Sequence, residues 1–376
     1  MKEGKKAVVA GHVCIDITPV FPLEKVKEAS EILKPGRLIS MNGVNIHTGG
    51  AVANTGLALK KLGVDVGLMG KIGNDDFGNL ILNLLDKYQV ADSMIVDENA
   101  DTSYSVVLAI PGVDRIFLHD AGANDTFTFD DLEFSKIENA TLLHFGYPPI
   151  MKEMYQNDGE QLVKIMKKIK DMHVATSLDM AAMDPKSEVA KKDWRKILEG
   201  TLPFIDFFVP SIEELCFMLD REHYERLVER AAGKDITETL TIADIEPLAK
   251  QLIEMGTKVA MIKCGAAGIY YQTAGVEQMK ELCQELNLSL EGWADKKGFE
   301  ASYIPERIAS GTGAGDTCIA AFLASVLEEN TMEKSVQMAV AQGACCVESY
   351  DALGGIKSLS ELEEKIQRGW KKNKNL

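Results

Sequence analysis

The chain has 376 residues, 46% of them apolar, enough for one large or two small domains around a substantial core. Its 41 basic and 57 acidic residues give a net charge of −16, which argues against nucleic acid or an anionic membrane surface as the main partner. No stretch approaches the roughly 20 apolar residues of a membrane span, and the start has too short an apolar run for a signal peptide. The seven scattered cysteines lack zinc spacing, so reduced thiols and a cytoplasmic location are expected.

Ala7-Val8-Val9-Ala10 reads as a short buried strand stopped by Gly11. Asp16 lies just past it. In open α/β sheets ligands sit beyond the carboxyl ends of strands, so Asp16 reads either as an acceptor of hydrogen bonds from a polyol or as a solvated loop carboxylate. His12 reads as a structural loop histidine. Residues 19–45 are polar and end in a weak strand-like run at 37–44. Gly49 and Gly50 then open an amphipathic helix that Gly63 closes, with Asn54 near its first turn. A strand over 64–70 follows, and Asp75 or Asp76 reads as the N-cap of the next helix. From Thr102 the pattern changes. Two runs of β formers, 102–110 and 115–119, flank Pro111-Gly112-Val113-Asp114 and predict a hairpin in a small sheet standing off the main body. Arg115 is open to two readings, a contact to an acidic substrate group or a solvated side chain.

The middle alternates. Strands are expected at 141–145, 174–179 and 207–210, with a helix over 159–172 whose apolar residues are Leu162, Ile165, Met166 and Ile169. Such alternation predicts a mostly parallel sheet covered by helices on both faces. Ser211 to Glu214 begins another helix, with acidic residues suited to its dipole. Residues 220–245 read as a charged, irregular surface insertion, and 272–300, which includes Trp293, as a second. Between them a strand ending at Cys264 runs into the turn Gly265-Ala266-Ala267-Gly268. Ser310-Gly311-Thr312-Gly313-Ala314-Gly315-Asp316-Thr317 then opens a long apolar helical stretch. Its small residues leave free N–H groups at a helix start, a site for an anion. Asp316 beside that site is suited to taking a proton from a hydroxyl while the loop holds a phosphoryl group. A second apolar helix carries Gln342, and the end of the chain, from Trp370, reads as a solvated basic tail.

Gly313, Ala314, Gly315 and Asp316 resemble the signature of the ribokinase-like (PfkB) carbohydrate kinase family, which ends in the catalytic base. Gly49-Gly50 to Asn54, the hairpin, Ser211 to Glu214 and Gly265 to Gly268 fall in that family's order along nearly the whole chain. The resemblance implies a three-layer α/β/α fold with a mostly parallel central sheet and a small β-sheet lid. It implies one domain over 1–376, with the lid formed by two insertions at about 12–48 and 98–122. It implies transfer of a phosphoryl group from ATP to a hydroxyl of a small sugar, with Asp316 as base and the 313–315 backbone as anion hole. Asp16, Gly49, Gly50 and Asn54 would hold the acceptor. Ser211, Cys264, Gly265, Gly268 and Gln342 would line the nucleotide, and Glu214 would help hold Mg²⁺. A homodimer through the lid is implied too. Ser310 and Gly311 depart from the family's Asp-Thr, at the neighbouring monovalent-cation site, and Ser211 replaces its usual Asn. A nucleoside acceptor is the alternative within the fold, and a catalytically silent sugar-binding regulator the alternative outside it. The chain has no P-loop motif, and its glycines do not form a dinucleotide fingerprint.

Overall fold

The first buried strand shows why the sheet is covered on both sides: Ala7 and Val9 enter one apolar layer, Val8 and Ala10 the other. Phe207 and Phe208 divide in the same way, as do Val259 and Met261 from Ala260 and Ile262. The computed structural model describes residues 5–22, 25–113, 115–374 and 376; Asp114 of the expected turn and residues 23 and 24 of the first expected insertion lie outside them.

In chain order the strands are β1 Lys6–Gly11, β2 Cys14–Pro19, β3 Val44–Gly49, β4 Asp65–Gly73, β5 Ile95–Asp97, β6 Tyr104–Leu108, β7 Ile116–Asp120, β8 Leu142–Gly146, β9 Ala175–Asp179, β10 Phe207–Phe208, β11 Val259–Lys263, β12 Gly268–Thr273 and β13 Lys297–Ala301. Nine of them form the main sheet, ordered β13-β12-β11-β10-β9-β8-β1-β4-β5, and the other four a separate sheet, β3-β2-β6-β7. The main sheet is parallel from β5 to β11 and antiparallel at β12 and β13. With helices on both faces, this is the expected three-layer α/β/α fold. From β1 the chain adds β4 and β5 on one side and β8 onward on the other. The crevice where the order reverses is where such sheets bind ligands.

The expected hairpin forms, with Leu108 opposite Ile116. Its sheet is completed by β2 and β3, so Asp16 sits within a strand, opposite His47, rather than in a loop after β1. The run 37–44 is not a strand; pairing starts at Val44, where β3 meets β2. Asp75 caps its helix, accepting from the Gly78 N–H.

Two segments read as irregular are ordered. Residues 220–245 contain the helix Arg221–Ala231, whose buried residues are Leu227 and Ala231. Residues 272–300 contain the helix Val276–Leu286, which buries Met279, Leu282, Cys283 and Leu286 in the core. Trp293 is fully buried, edge-on to Phe207 and Phe322. The final residues are docked as well. Trp370 stacks on Tyr303 at 4.6 Å and donates to the Ile304 carbonyl. All seven cysteines are free and buried, and no helix of the described residues is long and apolar enough to cross a membrane.

Candidate active site

The helix Ala314–Leu327 is buried from Asp316 to its end, wedged between the helices Gly50–Lys61 and Met332–Cys346. Its N-cap is Gly313, with φ of +72°, where a Cβ would fall 2.9 Å from the Ala352 Cα. A side chain is excluded there by both conformation and space. No side chain caps this helix start; the Ala314 N–H is taken by the Gly311 carbonyl at 3.3 Å, which leaves those of Gly315 and Asp316 for an anion.

Asp316, in that first turn, is 4% exposed and held by three donors. The Tyr147 hydroxyl donates to Oδ1 at 2.6 Å, the Thr55 hydroxyl to Oδ1 at 3.2 Å, and the Asn54 amide to Oδ2 at 3.1 Å. Burial raises the Asp316 carboxyl above its ordinary pKa. The Tyr147 hydroxyl and then the Lys263 ammonium pull against that rise. A carboxylate so placed is more basic than a surface aspartate.

The groups facing it come from the carboxyl ends of neighbouring parallel strands. His12 follows β1, Tyr147 follows β8, Asp179 ends β9 and Lys263 ends β11. Tyr147 holds a left-handed backbone, φ +70°, unusual for a residue with a side chain. The Lys263 ammonium donates to Asp179 Oδ1 at 2.7 Å. Burial disfavours its charge, but Asp179 and then Glu214 hold its pKa above the ordinary value, while burial lifts the Asp179 carboxyl to about 7 against the pull of Lys263. A Cβ on Gly315 would lie 3.6 Å from that ammonium, which places the positive charge beside the anion-binding turn.

Ser211 and Glu214 close a reciprocal cap. The Ser211 N–H donates to Glu214 Oε2 at 2.8 Å, and the Glu214 N–H to Ser211 Oγ at 3.2 Å. Glu214 therefore serves its helix start, and its charge is also felt at Lys263 and Tyr147. Glu214, Asp179 and Asp316 carry the hard oxygen donors that Mg²⁺ takes, but the three do not cluster as one ligand set, and Glu214 is the carboxylate beside the anion-binding turn without a cation of its own in contact. The turn at 265–268 connects β11 to β12, with Cys264 buried before it and its thiol pushed up to about 12 by burial. Gln342 is fully buried. Its amide donates to the Gly355 carbonyl and accepts from the Lys357 N–H, so it braces the following loop.

On the other side of Asp316, the diglycine meets the small sheet. A Cβ on Gly49 would fall 2.6 Å from the Asp16 Cγ, and one on Gly50 2.6 Å from His12 Nδ1. Burial raises the Asp16 carboxyl above its ordinary value. Arg115 reaches across to the loop, its guanidinium donating to the Thr312 hydroxyl at 2.5 Å. Of the expected residues, Asp316, Gly313, Ala314, Gly315 and Asn54 thus converge, with Asp16, Gly49 and Gly50 adjoining. Tyr147, Thr55, Lys263 and Asp179 were not foreseen. One sequence signal was available: Tyr147, Asp179 and Lys263 all stand at the end of an expected strand.

An anion at this helix start would lie against a group able to accept a proton from an attacking hydroxyl. That is the chemistry of a small-molecule kinase. A profile of the pfkB family carbohydrate kinases matches residues 7–358, and the chain belongs to that family, whose kinases use ATP and Mg²⁺. It is similar to an uncharacterised sugar kinase of Archaeoglobus fulgidus, 22% identical over 302 residues, covering 80% of this chain and 98% of the other. It is also similar to the 5-dehydro-2-deoxygluconokinase of Clostridium perfringens, 22% identical over 366 residues, covering 96% and 92%. The structure of Arabidopsis thaliana ribokinase complexed with ribose and ATP shares the fold, with a TM-score of 0.68, 21% identity and coverage of 96% and 98%.

Proposed function

We propose that this carbohydrate kinase transfers the γ-phosphoryl group of ATP to a hydroxyl of a small sugar or sugar derivative, with Asp316 as general base. The observation that carries the reading is the buried Asp316 carboxylate in the first turn of an uncapped helix. Asp316 takes the hydroxyl proton as that oxygen attacks phosphorus. Main-chain N–H groups over Gly313, Ala314 and Gly315 stabilise the phosphoryl oxygens, and Lys263 adds a positive charge beside them. Glu214 would help hold Mg²⁺, which when bound would supply positive charge to the phosphates. Asp16, Gly49 and Gly50 hold the acceptor, and Asn54 orients it together with the base. Ser211, Cys264, Gly265 and Gly268 line the nucleotide, and Gln342 braces the loop on its far side.

We assign residues 1–376 to one domain with a lid from about 12–48 and 98–122. Its support is the four-stranded sheet that draws β2 and β3 from one segment and β6 and β7 from the other. Closure would exclude water and limit hydrolysis of ATP. The outer lid carries exposed apolar groups, with Phe117 52% and Leu118 53% exposed, which supports a homodimer through that face. Sedimentation of a monomer at micromolar concentration would refute the dimer.

The test of the activity is ADP release from Mg-ATP with a panel of sugars, sugar acids and nucleosides, run in parallel on Asp316→Asn. Acceptor-dependent release that the variant loses supports the reading. Near-normal turnover in the variant removes Asp316 from the role of base.

A further inference from the structure

We propose that His173, Glu281 and Glu285 form a binding site for a zinc-class transition-metal ion, at the end of the sheet opposite the catalytic residues. The proposal stands apart from the phosphoryl-transfer reading and concerns stability rather than turnover.

Among the described residues, these three are the one group of histidine, cysteine or carboxylate side chains whose ligand atoms all lie within 4.8 Å of one another. Their placement follows from the fold. Glu281 and Glu285 are four residues apart on the helix Val276–Leu286, so both project from one face. His173 follows the helix Glu160–Asp171 and leads into β9, with a left-handed backbone, φ +56°, that turns the chain there. Tyr147, Asp179 and Lys263 stand at the carboxyl ends of their strands, whereas this cluster stands at the amino ends of β9, β10 and β11, where His173, Asp206 and Lys258 lie.

Lysines answer only part of the negative charge. Lys170 donates to Glu285 Oε2 at 3.1 Å and Lys258 to Glu281 Oε2 at 3.4 Å. Both ammonium groups also bind Asp206, whose side chain is 1% exposed. Three carboxylates thus share two cations. The other oxygen of Glu285, Oε1, is buried and has no hydrogen-bond partner among the described residues. Buried carboxylate oxygens are nearly always paired. His173 Nδ1 faces it at 3.7 Å, too far for a hydrogen bond. Two ligands about 2.1 Å from a tetrahedral zinc stand about 3.4 Å apart, so the gap has the size that a bridging ion needs. The Glu281 and His173 side chains are 57% and 78% exposed and have room to close on it.

The donor set selects the ion. One imidazole nitrogen with two carboxylates suits Zn²⁺, whereas Mg²⁺ takes oxygen donors in an octahedral shell and keeps several waters. Lys170 and Lys258 hold the outer carboxylate oxygens, as ligating carboxylates are held in metal sites. A bound ion would tie the segment entering β9 to the helix Val276–Leu286.

The test uses the full chain, stripped with a chelator, titrated in calorimetry with Zn²⁺ and separately with Mg²⁺, and melted with and without each ion. One Zn²⁺ per chain is expected to bind, at least about tenfold more tightly than Mg²⁺, and saturating Zn²⁺ to raise Tm by about 2–5 °C. His173→Asn tolerates the left-handed backbone and removes the imidazole; Glu281→Gln removes one charge. Each should weaken Zn²⁺ about tenfold or more and shrink the zinc-dependent rise in Tm, with the metal-free Tm and the KM and kcat with Mg-ATP little changed. Absence of saturable Zn²⁺ binding would leave His173 and Glu285 as an ion pair only and overturn the proposal. So would Zn²⁺ binding that both variants retain, or Mg²⁺ binding as tight as that of Zn²⁺.

Discussion

Replacing Tyr147 by Phe removes one oxygen and the shortest hydrogen bond to Asp316, 2.6 Å long. The Asn54 and Thr55 donors remain, at 3.1 and 3.2 Å. A hydrogen bond to a charged group contributes about 1.5–3 kcal/mol, and one pKa unit corresponds to about 1.36 kcal/mol. Two donors remain to take up the carboxylate's charge, so the low end applies, a change of about one unit. The hydroxyl favours the ionised carboxyl, so its loss raises a pKa that burial has already lifted. A base works only when ionised, so the acid limb of kcat/KM should move up by about one pH unit while the plateau above it keeps most of its height. The assay is ADP release at sub-saturating acceptor across the acid limb, for wild type and variant. A limb that stays in place, or moves down, would show that the Tyr147 hydroxyl does not support the charge on the Asp316 carboxylate.

Other outcomes follow from the same contacts. Asp316→Asn should lower turnover by about 10²–10⁴ and yet melt at a higher temperature at neutral pH. Because the folded-state pKa lies above the unfolded one, this group's contribution to stability is greatest below both values and declines as pH rises through them. A lower melting temperature in a calorimetric scan would contradict that. Lys263→Met leaves Asp179 buried without its partner and should cost about 3–5 kcal/mol in urea unfolding. Adding Asp179→Asn should restore much of that stability while turnover stays low; if turnover returned as well, Lys263 would have no part in phosphoryl transfer. Trp293→Ala should cost about 3–5 kcal/mol by opening a cavity beside Phe207 and Phe322. A loss of under about 0.5 kcal/mol is what an exposed loop residue would give.

The parts of the fold and site that could be read from sequence are those written in consecutive residues. Gly313 to Asp316 is a local signal because a helix start needs small residues and an open first turn in one stretch. Gly49-Gly50 is another, since Gly50 has φ of +83° and lies against the His12 main chain. Tyr147, Asp179 and Lys263 carry no such local mark. Each ends a different strand, and they meet only because β8, β9, β10 and β11 lie side by side. The helices at Arg221–Ala231 and Val276–Leu286 were obscured by their own charge. In the second, the buried set 279, 282, 283 and 286 has helical spacing that a count of apolar positions would have found. The first buries only Leu227 and Ala231, too few apolar positions for a helical pattern to show.

The docked tail has a practical consequence for handling the protein. Its Lys371 carbonyl accepts from the Ile304 N–H, its Asn373 N–H donates to Ser302, and its Asn373 amide reaches the Ala266 carbonyl in the 265–268 turn. The same few residues therefore splint the turn beside β11 to the chain that feeds into Ser310 and the helix start. A purification tag fused after Leu376, or a trim back to Gly369, would pull on that splint and disturb the 265–268 turn, far from any residue that was changed.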